Sequence, residues 1–222
     1  MHLYDVHDKT VIVVDVLRAT SCMVTALANG ATSIIPMANL EDCKKMKASG
    51  YITSGERNGE MAEGFDKGNS PFEYLSNDIV GKKIAFTTTN GTQSIEKAKD
   101  AKELAVGSFL NLSAIASHLQ SRADDILIVC AGWKGHVNLE DTLFAGALAE
   151  KLKPVTIQED DAALMAIELY QQAKNNLVKF LNQSSHVKRL NKLNIHKDME
   201  FCLTADKYSV VPVLVNDELK LL

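Results

Sequence analysis

Apolar positions cluster along the chain in short runs separated by segments with three- and four-residue spacing. Val11–Leu17 reads Val-Ile-Val-Val-Asp-Val-Leu, a β-branched and nearly continuous apolar stretch of the kind found in a strand buried on both faces. It runs into Arg18-Ala19-Thr20-Ser21 and then Cys22–Asn29; Thr20 or Ser21 is placed to cap a helix and Gly30 to end it. The pattern recurs. Ser33–Met37 predicts a strand, and Asn39 a helix cap, with the helix running through Ser49 until Gly50 stops it. Ile84–Thr88 precedes a helix over Gly91–Lys99, Leu104–Ser108 precedes one over Ser113–Arg122, and Ile126–Ala131 precedes one over Leu139–Leu152.

Strands that alternate with helices of this length predict βαβ units, hence an α/β fold: a mostly parallel or mixed sheet in a three-layer α/β/α arrangement. Residues 1–222 read as one unit, or as two closely packed α/β lobes with 159–222 completing the sheet. Between Asp161 and Leu193, the residues Ala163, Ile167, Tyr170, Ala173, Leu177 and Leu181 recur at helical steps and predict an amphipathic helix. Val210–Val215 reads as a late strand, placed at an edge because Pro212 cannot donate to a ladder. Gly55–Pro71 is the one long polar, glycine-bearing loop, and loops of that length in compact domains tend to be functional.

Composition narrows the function. The 222 residues are 46% hydrophobic and 23% charged, the balance of an ordinary globular domain. A net charge of −4 offers no basic face for duplex nucleic acid. No apolar run approaches the roughly 18 residues of a membrane span, and the opening Met-His-Leu-Tyr-Asp lacks the order of a secretory signal. Cysteines 22, 43, 130 and 202 show no metal-ligand spacing and read as reduced thiols, which implies a cytoplasmic setting.

In open α/β sheets ligands bind beyond the carboxyl ends of the strands, and there this chain concentrates polar and glycine residues. Thr87-Thr88-Thr89-Asn90-Gly91-Thr92 lies between a strand and a helix, where backbone N–H groups and the helix terminus suit a phosphate or sulfonate. The same residues would serve a plain turn and helix cap; their position at a strand's carboxyl end favours the anion. The chain has four arginines, at 18, 57, 122 and 189, within its 24 basic side chains, and a planar guanidinium matches acid oxygens two at a time. Arg18 sits between strand and cap, and Arg57 in Gly55-Glu56-Arg57-Asn58-Gly59. Asp15 interrupts a buried run and must be paired or hold a metal. Glu140 and Asp141 follow Asn138, so they suit either an acidic first turn or, with Asp15, Mg²⁺. His136 and His186 are the histidines placed to matter; Arg189 and Trp133 are open between packing and ligand contact.

These segments resemble the 2-phosphosulfolactate phosphatase (ComB) family of coenzyme M biosynthesis. The resemblance rests on Val14–Ser21, Gly55–Gly59, Gly64–Pro71, Thr87–Thr92, Gly107–Asn111 and Cys130–Gly132 with Leu139–Asp141, in family order, and continues more weakly through Ser185–Arg189 and Asp198–Asp206. It implies a ComB-like fold and a Mg²⁺-dependent enzyme that turns 2-phosphosulfolactate into sulfolactate and phosphate. On that reading Asp15 and Arg18 are catalytic, and Asp15, Glu140 and Asp141 hold Mg²⁺. Arg57, Asn69, Thr88, Thr89, Asn90, Gly91, Thr92 and Lys134 bind a small anionic phosphorylated substrate. Either an activated water or Asp15 itself attacks phosphorus. The rival readings are a lyase or transferase acting on another phosphorylated acid, and a non-catalytic anion-binding module. A homodimer would suit an enzyme of this size.

Overall fold

A computed structural model describes residues 4–158, 160–190 and 196–222. β1 (Thr10–Val14) is buried throughout. Its alternate residues enter two different cores, Ile12 and Val14 on one face of the sheet and Val11 and Val13 on the other, which is why the run shows no polar alternation. β6 (Glu103–Gly107) and β7 (Ile126–Cys130) flank it in parallel. A second parallel trio places β5 (Lys83–Thr87) between β2 (Ser33–Pro36) and β3 (Ile52–Arg57), with the two-residue β4 (Glu60–Met61) antiparallel on β3.

The two trios are joined by a C-terminal hairpin, β8 (Pro212–Val215) and β9 (Glu218–Leu221), giving the order β4-β3-β5-β2-β9-β8-β6-β1-β7. The late strand expected at an edge therefore lies inside the sheet. Pro212 is its first residue, where a missing N–H removes no interior ladder bond. Its partner β9 carries too little apolar pattern to announce itself. The turn between them uses Asn216 and Asp217 at φ of 51° and 62°, the left-handed pair of a tight hairpin.

Helices cover both faces. α1 (Ala19–Ala28) and α3 (Gly91–Ala98) pack on one, and α4 (Leu112–Gln120) and α5 (Leu139–Leu152) on the other, while α2 (Leu40–Lys45) covers the outer trio. The single amphipathic helix expected from Asp161 is instead α6 (Asp161–Ala173), α7 (Leu177–Leu181) and α8 (Ser185–Leu190). Asn176 breaks the run because its side chain accepts from Lys179 N and starts a new helix. The expected residues 191–193 of that helix lie outside the described residues, and α9 (His196–Cys202) follows. Among the described residues no helix is long and apolar enough to cross a membrane.

α5 and α6 meet at Gly146, where a Cβ would stand 2.0 Å from the carbonyl oxygen of Ala166. Gly146→Val should destabilise the protein by about 3 kcal/mol, since backbone must move to admit it. A urea midpoint within error of wild type would show that the helices can separate at no cost.

The three antiparallel junctions, β2–β9, β9–β8 and β8–β6, set the two trios in opposite senses, so their carboxyl ends do not share one edge by connectivity. They meet nonetheless. β5 stands five strands from β1, a span over which the usual twist of about 20–25° per step would turn the strand axis through more than a right angle. The result is direct: a Cβ on Gly91, at the start of α3, would lie 2.8 Å from Asp15 Oδ2.

Candidate active site

β1 ends at Val14 and the chain turns at once. Asp15 N donates to Thr20 Oγ1 (3.1 Å), and the Thr20 hydroxyl donates back to the Asp15 carbonyl (3.0 Å). Ser21 Oγ donates to Val16 O (2.8 Å). These hydroxyls tie the first turn of α1 to the strand rather than capping it: the helix begins at Ala19, and Thr20 and Ser21 lie inside it, a correction to the expected cap. Asp15 Oδ1 faces Ala19 N at 3.4 Å, a long contact for a buried carboxylate. Burial pushes the Asp15 pKa up from 3.8 to about 6, opposed by His186 and by the Ala19 N–H, and aided by Glu56 and Glu140.

Asn138 caps α5, its side chain accepting from Asp141 N. The two carboxylates behind it are fully buried and differ in role. Asp141 accepts from Val16 N (2.8 Å) through Oδ1 and from Gly132 N (3.0 Å) through Oδ2, so it braces the ends of β1 and β7 together. Burial, with Asp15 and Glu140 nearby, raises its pKa well above the ordinary carboxylate value. Glu140 pairs through Oε1 with His186 Nδ1 on α8, while its Oε2 is buried without a partner.

A cleft of about 80 Å³ opens above these groups, lined by Asp15, Arg18, Glu56, Thr89, His186 and Arg189 among others. Asn69 and Asn90 also line it, and Asn69 Oδ1 is buried without a partner. Glu140 and Asp141 lie beneath the wall rather than on it. Arg57 and Lys134 do not line the cleft: Arg57 donates to Glu56 O (2.6 Å) and Thr87 Oγ1 (3.2 Å), and exposed Lys134 lies over the Trp133 ring at 4.9 Å.

Arg18 is at the cleft but already engaged. One guanidinium nitrogen pairs with Asp198 on α9, and the other donates to Gly59 O (2.9 Å). Asp198 in turn accepts from Ser70 Oγ (2.9 Å). The threonine turn is engaged too. Thr88 N donates to Thr92 Oγ1 (3.1 Å), Thr92 N to Thr88 Oγ1 (3.3 Å), and Thr89 N to Glu56 Oε2 (3.3 Å). Three N–H groups expected to meet an anion thus meet protein oxygens, and what the turn presents to the cleft is Thr89 and Asn90. Gly91 is required by the close approach of Ala19 and Asp15, both within 2.8 Å of where a Cβ would be.

The sequence model of the 2-phosphosulpholactate phosphatase family matches residues 1–217. The chain belongs to that family. It is 47% identical over 208 residues to a probable 2-phosphosulfolactate phosphatase of Thermotoga petrophila, covering 94% of this chain and 90% of that protein. A protein of the same name from Caldanaerobacter subterraneus is 42% identical, with 96% and 90% covered, and one from Clostridium tetani 35%, with 97% and 93% covered. Family membership makes this protein a phosphatase, and the resemblance drawn from its motifs is the correct one.

For a member of this family the cleft is short of free positive charge. Of the two histidines placed to matter, His186 lines the cleft and His136 does not, while Glu56 and Asp198, not singled out as site-forming, line the cleft and neutralise Arg18 respectively. Glu56 stood next to Arg57 in the same motif, and its glycine neighbours were the available clue. Among the described residues no three of His, Cys, Asp and Glu are grouped to hold a metal by themselves. Mg²⁺, however, takes one or two carboxylates and completes its shell with water and substrate phosphate. The unpartnered Glu140 Oε2 and the weakly satisfied Asp15 are hard oxygen donors that fit this; Asp141, with both oxygens on backbone N–H groups, fits a brace.

Proposed function

We propose that the protein hydrolyses 2-phosphosulfolactate to sulfolactate and inorganic phosphate, with Mg²⁺ held by Asp15 and Glu140. The observation that carries this is an excess of buried carboxylate at the cleft: Glu140 Oε2 has no hydrogen-bond partner, Asp15 has one long contact to Ala19 N, and burial outweighs the opposing pull of His186 on Asp15. A guest with three acid groups could not enter beside them unless a divalent ion neutralised both sides. Bound there, Mg²⁺ supplies charge stabilisation for the phosphoryl oxygens.

The chain's own groups supply the rest. Asp15, a carboxylate whose pKa burial raises in the metal-free protein, lines the cleft and is the group we assign to take a proton from the attacking water. The new bond is from that water oxygen to phosphorus; the bond broken joins phosphorus to the substrate's C2 oxygen, which must gain a proton as it leaves. His186 is held through Nδ1 by Glu140, and as the imidazolium, the form a carboxylate partner favours, it would carry on Nε2 the proton that the leaving oxygen takes. Asp141 holds the ends of β1 and β7 in place, and Asn69 and Asn90 offer neutral hydrogen bonds along the wall.

Phosphate release from 2-phosphosulfolactate should be stoichiometric with sulfolactate, fall to background in EDTA and return with added Mg²⁺. A lyase or transferase would consume the phospho-acid without equal phosphate release. A binding module would be stabilised by the compound and turn over nothing.

A further inference from the structure

Of the four arginines, three are engaged by protein oxygens, and one has no such partner among the described residues. Arg18 is paired by Asp198 and Gly59, Arg57 points its nitrogens at Glu56 O and Thr87, and Arg122 is held by Glu103 and Asp124. Arg189 differs: it lines the cleft, and among the described residues it has no carboxylate or carbonyl partner within hydrogen-bond reach. Its guanidinium lies over the Trp133 ring, 3.6 Å from the centroid. Trp133 itself lines the cleft, from the loop that follows β7.

The geometry points to Arg189, its guanidinium carbon 3.6 Å from the Trp133 ring centroid, as the subsite for the acid group of the substrate that lies away from the phosphoryl. This rests on the phosphatase reading above for the identity of the guest, and it moves the second anion grip from Arg57 to α8. The physical reason is planar. Stacking uses one face of the guanidinium and leaves its N–H donors directed outward in the plane of the group, the arrangement that meets two acid oxygens at once. The indole also holds the fork in place before the guest arrives, so less side-chain entropy is lost on binding. Lysine would keep the charge and lose the plane.

The test compares wild type, Arg189→Met and Arg189→Lys on four phosphate esters. 2-Phosphosulfolactate carries both acids; 2-phospholactate lacks the sulfonate; 2-sulfoethyl phosphate lacks the carboxylate; isopropyl phosphate lacks both. Arg189→Met should reduce the preference for 2-phosphosulfolactate over isopropyl phosphate by about 10–100-fold, the effect of one lost charge-assisted pair, chiefly through KM. Arg189→Lys should recover only part of it. Whichever one-acid ester keeps its advantage in wild type and loses it in Arg189→Met names the group gripped. Binding of sulfolactate, read by titration calorimetry with Mg²⁺ present, should weaken by the same factor. Equal losses on all four esters, or sulfolactate binding unchanged in Arg189→Met, would overturn the assignment. If wild type binds sulfolactate through Arg189 yet releases no phosphate, the subsite stands and the hydrolytic reading falls; if wild type hydrolyses and Arg189→Met keeps the full preference, the reverse holds.

Discussion

Asp15→Asn should lower phosphate release from 2-phosphosulfolactate by about 10²–10⁴-fold, the range for losing a positioned proton acceptor, and at the same time make the metal-free protein more stable. Both effects follow from one carboxylate held out of water with a single long contact to Ala19 N. Its pKa in the fold is about 6 against 3.8 for a free aspartate, so the folded state favours the protonated form. The stability this confers is complete below pH 4 and is lost as pH rises through 6; above that the native state carries a deficit of about 3 kcal/mol. Asparagine keeps the shape without the charge. In EDTA at pH 7.5 the variant should therefore melt about 5–10 °C above wild type, and the gap should close toward pH 4. Mg²⁺ should raise the melting temperature of wild type and much less that of the variant. A variant that melts no higher than wild type in EDTA would mean that Asp15 is adequately paired, and the case for a cation between it and Glu140 would go with it.

Arg18→Ala should cost about 3–5 kcal/mol, because it leaves Asp198 as a buried charge without its partner. The pair is almost wholly buried, with side-chain exposures of 6% and 9%. It joins the start of α1 to α9 and, through Ser70 and Gly59, to both ends of the long loop after β3. Against a total stability of about 5–15 kcal/mol the loss is large enough to show as a shift of the urea midpoint at 25 °C. Arg18→Leu combined with Asp198→Leu should recover most of it, since an apolar pair needs no compensating charge. If the double variant were as unstable as Arg18→Ala, the worth of the pair would lie in the Gly59 contact instead. Phosphate release should stay low in both, because the cleft wall contributed by Gly59 and Asn58 loses its anchor.

Much of the fold was legible because it is local. Leu139–Leu152 is a helix with the bounds read from sequence, since Asn138 caps it and its apolar face is continuous. The strands Ser33–Pro36, Lys83–Thr87 and Glu103–Gly107 lie within a residue of their expected places, while the run Val11–Leu17 overshoots its strand, which ends at Val14 where the chain turns at Asp15. The largest miss is non-local. Val213 pairs with Ala105, more than a hundred residues away, and nothing in the Pro212 neighbourhood could reveal that β8 would be inserted between two trios. The helix expected across Asp161–Leu193 failed at Asn176, where one side-chain hydrogen bond outweighs an unbroken apolar spacing.

The same division holds at the site. Residue type and order alone determined the family, Asp15 as an acid interrupting a buried run, Glu140 and Asp141 as acids opening a helix, and the scarcity of arginine; the burial of Glu140 and Asp141 came only with the fold. Only the tertiary structure decided which of them are free. Asp198 neutralises Arg18 across 180 positions, Val16 and Gly132 engage Asp141, and Trp133 takes the face of Arg189. The reason is that a side chain's type is a property of one position, whereas its availability depends on which distant oxygen or N–H the folded chain brings within three ångströms of it, and the strength of that pairing is set by burial that no single position carries.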